Sequence, residues 1–596
     1  MDNRSKCRRR LKMERGEDII STDDQGQQTK IFLFSTIAQK DLQRVADSLG
    51  FQLQPKDEAD YLALLRSAVS AVETVDKMPA YKDPRLSWDD KTNIRSYTEP
   101  KETENPLNGW SHRTTIKPTA TGLLSGKTIA IKDNVSVAGL PLTGGTQPFH
   151  LSKDTPYPIS TFDAPVVSRV LEAGATIMGM STCENYCMSA LSFTSAIGPV
   201  DNPWRKGYDC GGSSSGSAAL VAINSVRKRK SSQVAAATDA DGLGEGVDLA
   251  LGADQGGSIR MPAAFSGIYG LKPTHGLVPY TGLTALHPAI DHCGPMAGSL
   301  RDTALLLTVL AGYDGFDPRM TPETPLRANV PAYHELLDKA IDVRKAKGEW
   351  SATAAAKGLR VGIIKEAWTA PQLTEEVAGV VKKAAERFAS LGAVVEEVSI
   401  PLHALGSSIF TAVTRPDMAN VFIYGKPPDL LSWPLANLDP PPPDAQWYET
   451  MNKSAPTVVN KLLSGTFLDS DRGRFPLATR AKAVTHAHEL RAAYDAALDK
   501  YDVLITPANP TVAPKHPSPE LSVLEKHDIA LGNTWNTCPF NLTGHPGLVL
   551  PVGWGKTEDG EGKLPVGMQL VAKRWNEETL FFAAAAWEAG GLGLQD

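Results

Sequence analysis

"VDLALGADQGGSIRMPAAF" occupies residues 247–265, and the fold turns on how it is read. Val247, Leu249 and Leu251 alternate with smaller or polar residues, which is the period of a strand. Asp254, Gln255, Gly256 and Gly257 then turn the chain, and Ser258 follows. "MPAAF" reads as the first turn of a helix, with Pro262 near its start. Ser258 therefore stands at a strand-to-helix turn. The amides of Gln255, Gly256, Gly257 and Ser258 have little side-chain bulk between them and can converge on one anion, as an oxyanion hole requires. On this segment alone, a glycine-rich turn that only reverses the chain is an equally good reading.

Outward from this turn, strands and helices alternate. "KTIAIKDN" (127–134) is a short strand, "APVVSRVLEAGA" (164–175) a helix ending at Gly174, and "TIMGM" (176–180) a strand. "LRVGIIKEAW" and "AVVEEVSIPL" bracket a helix at about 374–391, and a helix at about 478–499 precedes the strand "YDVLITP". "PGLVLPVG", "PVGMQLVA" and the helix "ETLFFAAAAWEAG" close the chain. This rhythm predicts an α/β fold, a sheet covered by helices. Upstream, "TIAQKDLQRVADSLGF" and "DEADYLALLRSAVSAVETVDKM" carry apolar stripes at helical spacing. The domain reading is a disordered tail at 1–30, a small N-terminal α-helical unit at 31–80, an irregular linker wrapping the core at 81–124, and the main domain at 125–596. The proline-rich 425–447 segment reads as a surface loop.

The totals exclude several classes. With 596 residues, 42% hydrophobic and 21% charged, the chain can bury a large core. A formal net charge of −6 argues against a nucleic-acid or acidic-membrane binder, and no apolar run is long enough to span a bilayer. The basic start lacks the apolar core of a secretory signal. The 6 scattered cysteines suit reduced thiols in a cytoplasmic protein. Cys183 and Cys187 read as four apart on a helix, and no spacing marks a metal site.

Two motifs mislead. "TGLLSGKT" (121–128) has three residues between Gly122 and Gly126 where a P-loop needs four, and a strand follows where a helix should. "DCGGSSSGSAAL" (209–220) centres Ser214 in a G-x-S-x-G elbow, which makes an esterase of the α/β-hydrolase type an alternative. The stretch before it, "PWRKGYDC", is not a core strand.

Three blocks together, "IAIKDNVSVAGLPLTGGT" (129–146), "CGGSSSGSAALVA" (210–222) and "GADQGGSIRMPAAFSGIYGLKPTHGLVP" (252–279), resemble the amidase signature family. The resemblance runs from about residue 125 to the C-terminus, and the wording is nearest to stand-alone amidases associated with nitrile degradation. It implies a large mixed β-sheet covered by helices and a Ser–cis-Ser–Lys triad. Matched by motif, Ser258 would be the nucleophile, Ser213 the bridging serine and Lys132 the base. The residue types suit this chemistry: a serine hydroxyl needs a base, and a lysine serves when desolvation keeps it neutral. Lys132 lies on the strand face opposite Ile129 and Ile131. Gln255, Gly256, Gly257 and Ser258 would hold the oxyanion; Asp254 and Arg260 would brace the turn, and Ser214 would support it.

The implied activity is hydrolysis of a carboxylic amide through an acyl-enzyme, without metal or organic cofactor. The same signature is shared by the catalytic subunit of glutamine-dependent amidotransferases. The expected partners are a small-molecule amide and at most a second copy in a homodimer, with no nucleic acid and no membrane. The chain departs from the family in two places. Ser215 stands where a glycine is usual, and "NSVRKRKSSQVAAATDADGLGEG" (224–246) lengthens the path between the two serine blocks. Its polar composition predicts an exposed insertion. The stretch 533–547, "NTWNTCPFNLTGHPG", is a candidate pocket wall.

Overall fold

The computed structural model describes residues 19–22, 28–31, 37–79, 81, 83–86, 88, 94–233, 242–426, 438–471 and 473–589. The chain divides into a unit ending at Arg85 and a unit beginning at Leu86. In the first, helices Gln39–Ser48 and Glu58–Asp76 match the two predicted stripes. An antiparallel pair, Ile19–Thr22 with Gln28–Ile31, adds strands where a disordered tail was expected. The rest of that tail lies outside the described residues.

The second unit is built on an eleven-stranded mixed sheet. From one edge its order is Val394–Val398, Arg360–Ile364, Val503–Pro507, Lys563–Val571, Gly547–Lys556, Tyr269–Lys272, His292–Ala297, Leu249–Asp254, Thr128–Lys132, Thr176–Ser181 and Trp110–Ile116. The last strand lies inside the expected linker. It pairs antiparallel with Thr176–Ser181, its buried Trp110 opposite Ser181 and its buried Ile116 opposite Ile177. The linker reading missed an edge of the sheet.

Alternation along the strands sorts two cores. Ile129, Ile131, Leu249, Leu251, Leu548 and Leu550 pack on one face, with helices Pro165–Glu172, Leu300–Leu310, Glu375–Ser390 and Glu577–Glu588 over it. Ala130, Ala250 and Val549 point to the other face, against helices Ser215–Gln233 and Arg260–Ser266. The residues on this second face are small because the helices approach closely. A side chain at Gly216 would press on the Thr182 amide at 2.5 Å. Lys132 shares a side with Ala130, so the strand delivers it beneath the helix that begins at Ser215.

Leu249–Asp254 runs parallel to Thr128–Lys132, with Ile131 opposite Leu251. The carboxyl ends of these two strands therefore bring Lys132 beside Ala253, where the 254–258 turn departs. Open sheets commonly place sites at this end of parallel strands.

The insertion at 224–246 departs from the expected exposed loop. Its first part continues the helix to Gln233, Val226 and Leu243 are buried in the core, and 234–241 lie outside the described residues. The proline-rich segment is described at 425–426 and from 438, where helix Ala445–Ser454 starts within the expected loop. Among the described residues no helix is long and apolar enough to cross a membrane.

Candidate active site

The serine run folds as a buried knot. Ser213, Ser214, Ser215 and Ser217 are all fully buried, and the Gly212–Ser213 peptide is cis. Each hydroxyl has a partner. Lys132 Nζ donates to Ser213 Oγ at 2.9 Å and to the Ala253 carbonyl at 3.3 Å. Ser214 Oγ donates to the same Ala253 carbonyl at 3.2 Å. Ser217 Oγ shares a hydrogen bond of 2.7 Å with Ser181 Oγ. Ser215, where the family usually has glycine, donates to Glu184 Oε1 at 2.7 Å.

Glu184 is a residue that motif matching passes over. Its second oxygen accepts the amide and hydroxyl of Thr194, at 2.7 and 2.6 Å, and its own amide donates to the Ser213 carbonyl at 3.2 Å. Burial pushes its carboxyl up to about 7, against the pull of the Thr194 and Ser215 donors.

The 254–258 turn is organised from below. Asp254 accepts two hydrogen bonds from the Arg260 guanidinium, each at 3.0 Å, and one from Asn541 at 2.9 Å. Burial would raise this carboxyl, but the Arg260 charge and these donors outweigh it and hold it well below the usual range. Arg260 also donates to the Thr537 carbonyl and to Gln569 Oε1, at 2.9 and 2.7 Å. The 533–547 stretch thus serves the site, through Thr537 and Asn541 on this brace and Trp535 on the cavity wall.

One expected oxyanion donor is corrected. The Gly257 amide donates to Asp254 Oδ1 at 2.8 Å, so the brace turns it away from the cavity. Gly257 holds this turn at a φ of 133°, and a side chain there would run into Thr537. The amides of Gln255, Gly256 and Ser258 donate to no acceptor among the described residues. The Gln255 side-chain amide is held by Tyr280 Oη at 2.5 Å.

Ser258 differs from the serines of the run. Its carbonyl accepts the Ser214 amide at 3.2 Å, which ties the two turns together. Its hydroxyl bonds to no described residue and faces a cavity of about 320 Å³. Gln255 and Gly256 share the wall with Met188, Leu286, Phe410, Met418 and Trp535. Ser214, the nucleophile of the elbow reading, is not on it, and neither is Ser213. The hydroxyl that reading needs is buried and engaged with Ala253.

Cys183 and Cys187 lie beside this site, and the helix expected around them is absent. Cys183 follows the strand Thr176–Ser181, Cys187 ends the single turn Asn185–Cys187, and their sulfurs are 3.8 Å apart. Cys187 reaches the cavity wall. All five described cysteines are free thiols.

Residues 89–581 match the Amidase family. An enantioselective amidase of Rhodococcus rhodochrous is 36% identical over 507 residues, covering 83% of this chain and 85% of that protein. A glutamyl-tRNA(Gln) amidotransferase subunit of Synechococcus sp. (strain RCC307) is 32% identical, covering 78% and 84%. The peptide amidase of Stenotrophomonas maltophilia superposes with a TM-score of 0.56 at 25% identity, over 78% of this chain and 83% of that one. With its mixed sheet and its signature blocks in place, the chain belongs to the amidase signature family and is an amide-hydrolysing enzyme.

Proposed function

We propose that the chain hydrolyses a carboxylic amide to the acid and ammonia or an amine, with Ser258 as nucleophile, Ser213 as proton relay and Lys132 as base. The observation that carries this reading is the Ser258 hydroxyl, unbonded among the described residues, beside three unengaged amides on the cavity wall, on a turn tied through the Ser214 amide to the serine run that holds the Lys132–Ser213 contact. Ser258 attacks the amide carbonyl while its proton passes to Ser213, whose own proton passes to the Lys132 amine. The Gln255, Gly256 and Ser258 amides stabilise the oxyanion, an interaction worth about 2.7–4 kcal/mol where one such donor has been removed. The proton returns through Ser213 to the leaving nitrogen, and water then cleaves the acyl-enzyme. The Ala253 carbonyl orients the lysine by accepting one of its protons. The braced Asp254–Arg260 pair keeps the turn fixed through these steps.

The test is ammonia release from a panel of primary amides by the purified chain alone. Unaided turnover, with a covalent acyl adduct that disappears in Ser258→Ala, is the expected result. A second reading rests on the likeness to the glutamyl-tRNA(Gln) amidotransferase subunit. It predicts no turnover without partner subunits and strict dependence on glutamine, a result that would displace the first.

A further inference from the structure

The cavity that Ser258 faces has an unbalanced wall. Arg415 and Lys461 both line it, with His527, and among the described residues no aspartate or glutamate does. Arg415 follows helix Gly406–Thr414 and donates from one guanidinium nitrogen to Ser464 Oγ at 3.0 Å. Its Nε is buried and unbonded. Lys461 lies on helix Pro456–Ser470 and donates to the Met188 carbonyl. One turn earlier on the same face, Thr457 Oγ1 is buried with no partner among the described residues, as is Nε1 of Trp535, which also lines the cavity.

Arg415 and Lys461 are half-buried, and a charge drawn even part-way out of water gains from a counter-ion. Arg260 in this molecule obeys that rule through Asp254. Among the described residues Arg415 and Lys461 pair with no carboxylate. The nearest in sequence, Asp417, is engaged by Arg480 and His287. Burial, and then the Arg415 charge, push the Lys461 ammonium down to about 7. The pair is a cationic site with its donors in place and its anion absent from the wall.

We infer that Arg415 and Lys461 recognise a carboxylate on the substrate, so that the preferred substrate is an amide that carries an anionic group away from the scissile bond. Phe410, Met418 and Leu286 on the same wall suit an apolar spacer between the two ends. The inference rests on the proposed use of this cavity as the amide site.

The test compares kcat/KM for the monoamides succinamate, glutaramate and adipamate with neutral primary amides of matched length. N-acetylglycine and N-butyrylglycine form a second arm, which asks whether the carboxylate sits on the amine side instead. At least one carboxylated series is expected to exceed its neutral isostere by about 10-fold or more. Lys461→Met and Arg415→Gln should bring that ratio toward one, chiefly through KM, and Arg415→Lys should keep most of it. A wild-type ratio at or below one in both arms, or a ratio that neither variant moves, overturns the inference while leaving amide hydrolysis intact. If no amide is hydrolysed, the proposed function fails, and a binding titration decides this inference separately. Glutarate should then bind the wild-type chain and bind Lys461→Met at least about 10-fold more weakly. Lys461→Met carries the test if Arg415→Gln does not fold.

Discussion

Two serine-bearing turns meet at this site, and they differ in how their hydrogen bonds are spent. In the 213–217 turn every serine hydroxyl is engaged, by Lys132, Ala253, Glu184 or Ser181. In the 255–258 turn three amides and the Ser258 hydroxyl have no partner among the described residues, and Gln255, Gly256 and Ser258 all border the cavity. Buried polar groups are normally satisfied, so the unsatisfied turn is the one kept ready for an outside atom. On the proposed reading, the richer serine cluster is scaffold and relay, and the single serine downstream is the reactive group.

The largest test of this contrast removes one hydroxyl at a time. Ser258→Ala should lower kcat on the order of 10⁴- to 10⁶-fold, as loss of a serine nucleophile does elsewhere. Lys132→Ala and Ser213→Ala should each cost roughly 10²- to 10⁴-fold, the range of lost acid–base assistance. Ser214→Ala should cost less than about 10-fold, because its hydroxyl only donates to Ala253. Single-turnover kinetics with acyl-enzyme detection rank the four. A Ser214→Ala loss as large as that of Ser258→Ala would erase the distinction between the two turns.

The second test attacks the brace under the open turn. Asp254→Asn leaves the fully buried Arg260 without its counter-charge. Breaking such a pair destabilises a protein by about 3–5 kcal/mol. Urea unfolding should show that loss at neutral pH. Because the folded Asp254 carboxyl is held below its unfolded value, its contribution is present above the unfolded value and is lost as pH falls. The gap between wild type and variant should therefore narrow on acidification. A constant gap would mean that charge is not what braces the turn.

The serine turn titrates in the opposite sense. The Glu184 carboxyl is raised from 4.5 to about 7 by burial, so the folded state holds its proton longer than the unfolded state. That stability is full below about 4.5 and is lost as pH rises through 7. Glu184→Gln should flatten the stability profile across this window. It should also cost about 1–3 kcal/mol at low pH, since one donor of Thr194 or Ser215 loses its acceptor. Denaturant midpoints at a series of pH values check both effects.

How far these features were legible depends on whether they are local. The strand 249–254, the turn and the helix after it could be read from alternation, glycine and Pro262 within a few residues. The pairing of Lys132 with Ser213 could be anticipated only through the family's spacing, because sheet register decides it. Nothing in the 255–258 wording says that Gly257 turns its amide to Asp254; that choice depends on Arg260, Asn541 and Thr537, the last two from a segment far along the chain. Trp110–Ile116 was missed because an edge strand needs only one partner, and its own pattern is short. Cys183 and Cys187 have helical spacing but follow a strand into a single turn, where Tyr186 and Cys187 take left-handed backbone at φ 52° and 55°. Arg415 and Lys461 are ordinary surface residues by sequence; only the fold brings them to one cavity wall.

The smallest test concerns the residue at which this chain departs from its family. Ser215 opens the helix Ser215–Gln233 and its hydroxyl donates to Glu184 Oε1. If the serine turn is scaffold, Ser215→Gly should lower stability by about 1–2 kcal/mol, the value of one buried hydrogen bond to a partly ionised group. It should lower kcat by less than about 10-fold, because the Glu184 amide still holds the Ser213 carbonyl and Lys132 still reaches Ser213. Ser215→Ala separates the lost hydroxyl from the added backbone freedom of glycine. The two variants should share most of the stability loss. A fall in kcat matching that of Ser213→Ala would instead make Ser215 part of the proton path, and the engaged turn would no longer be scaffold alone.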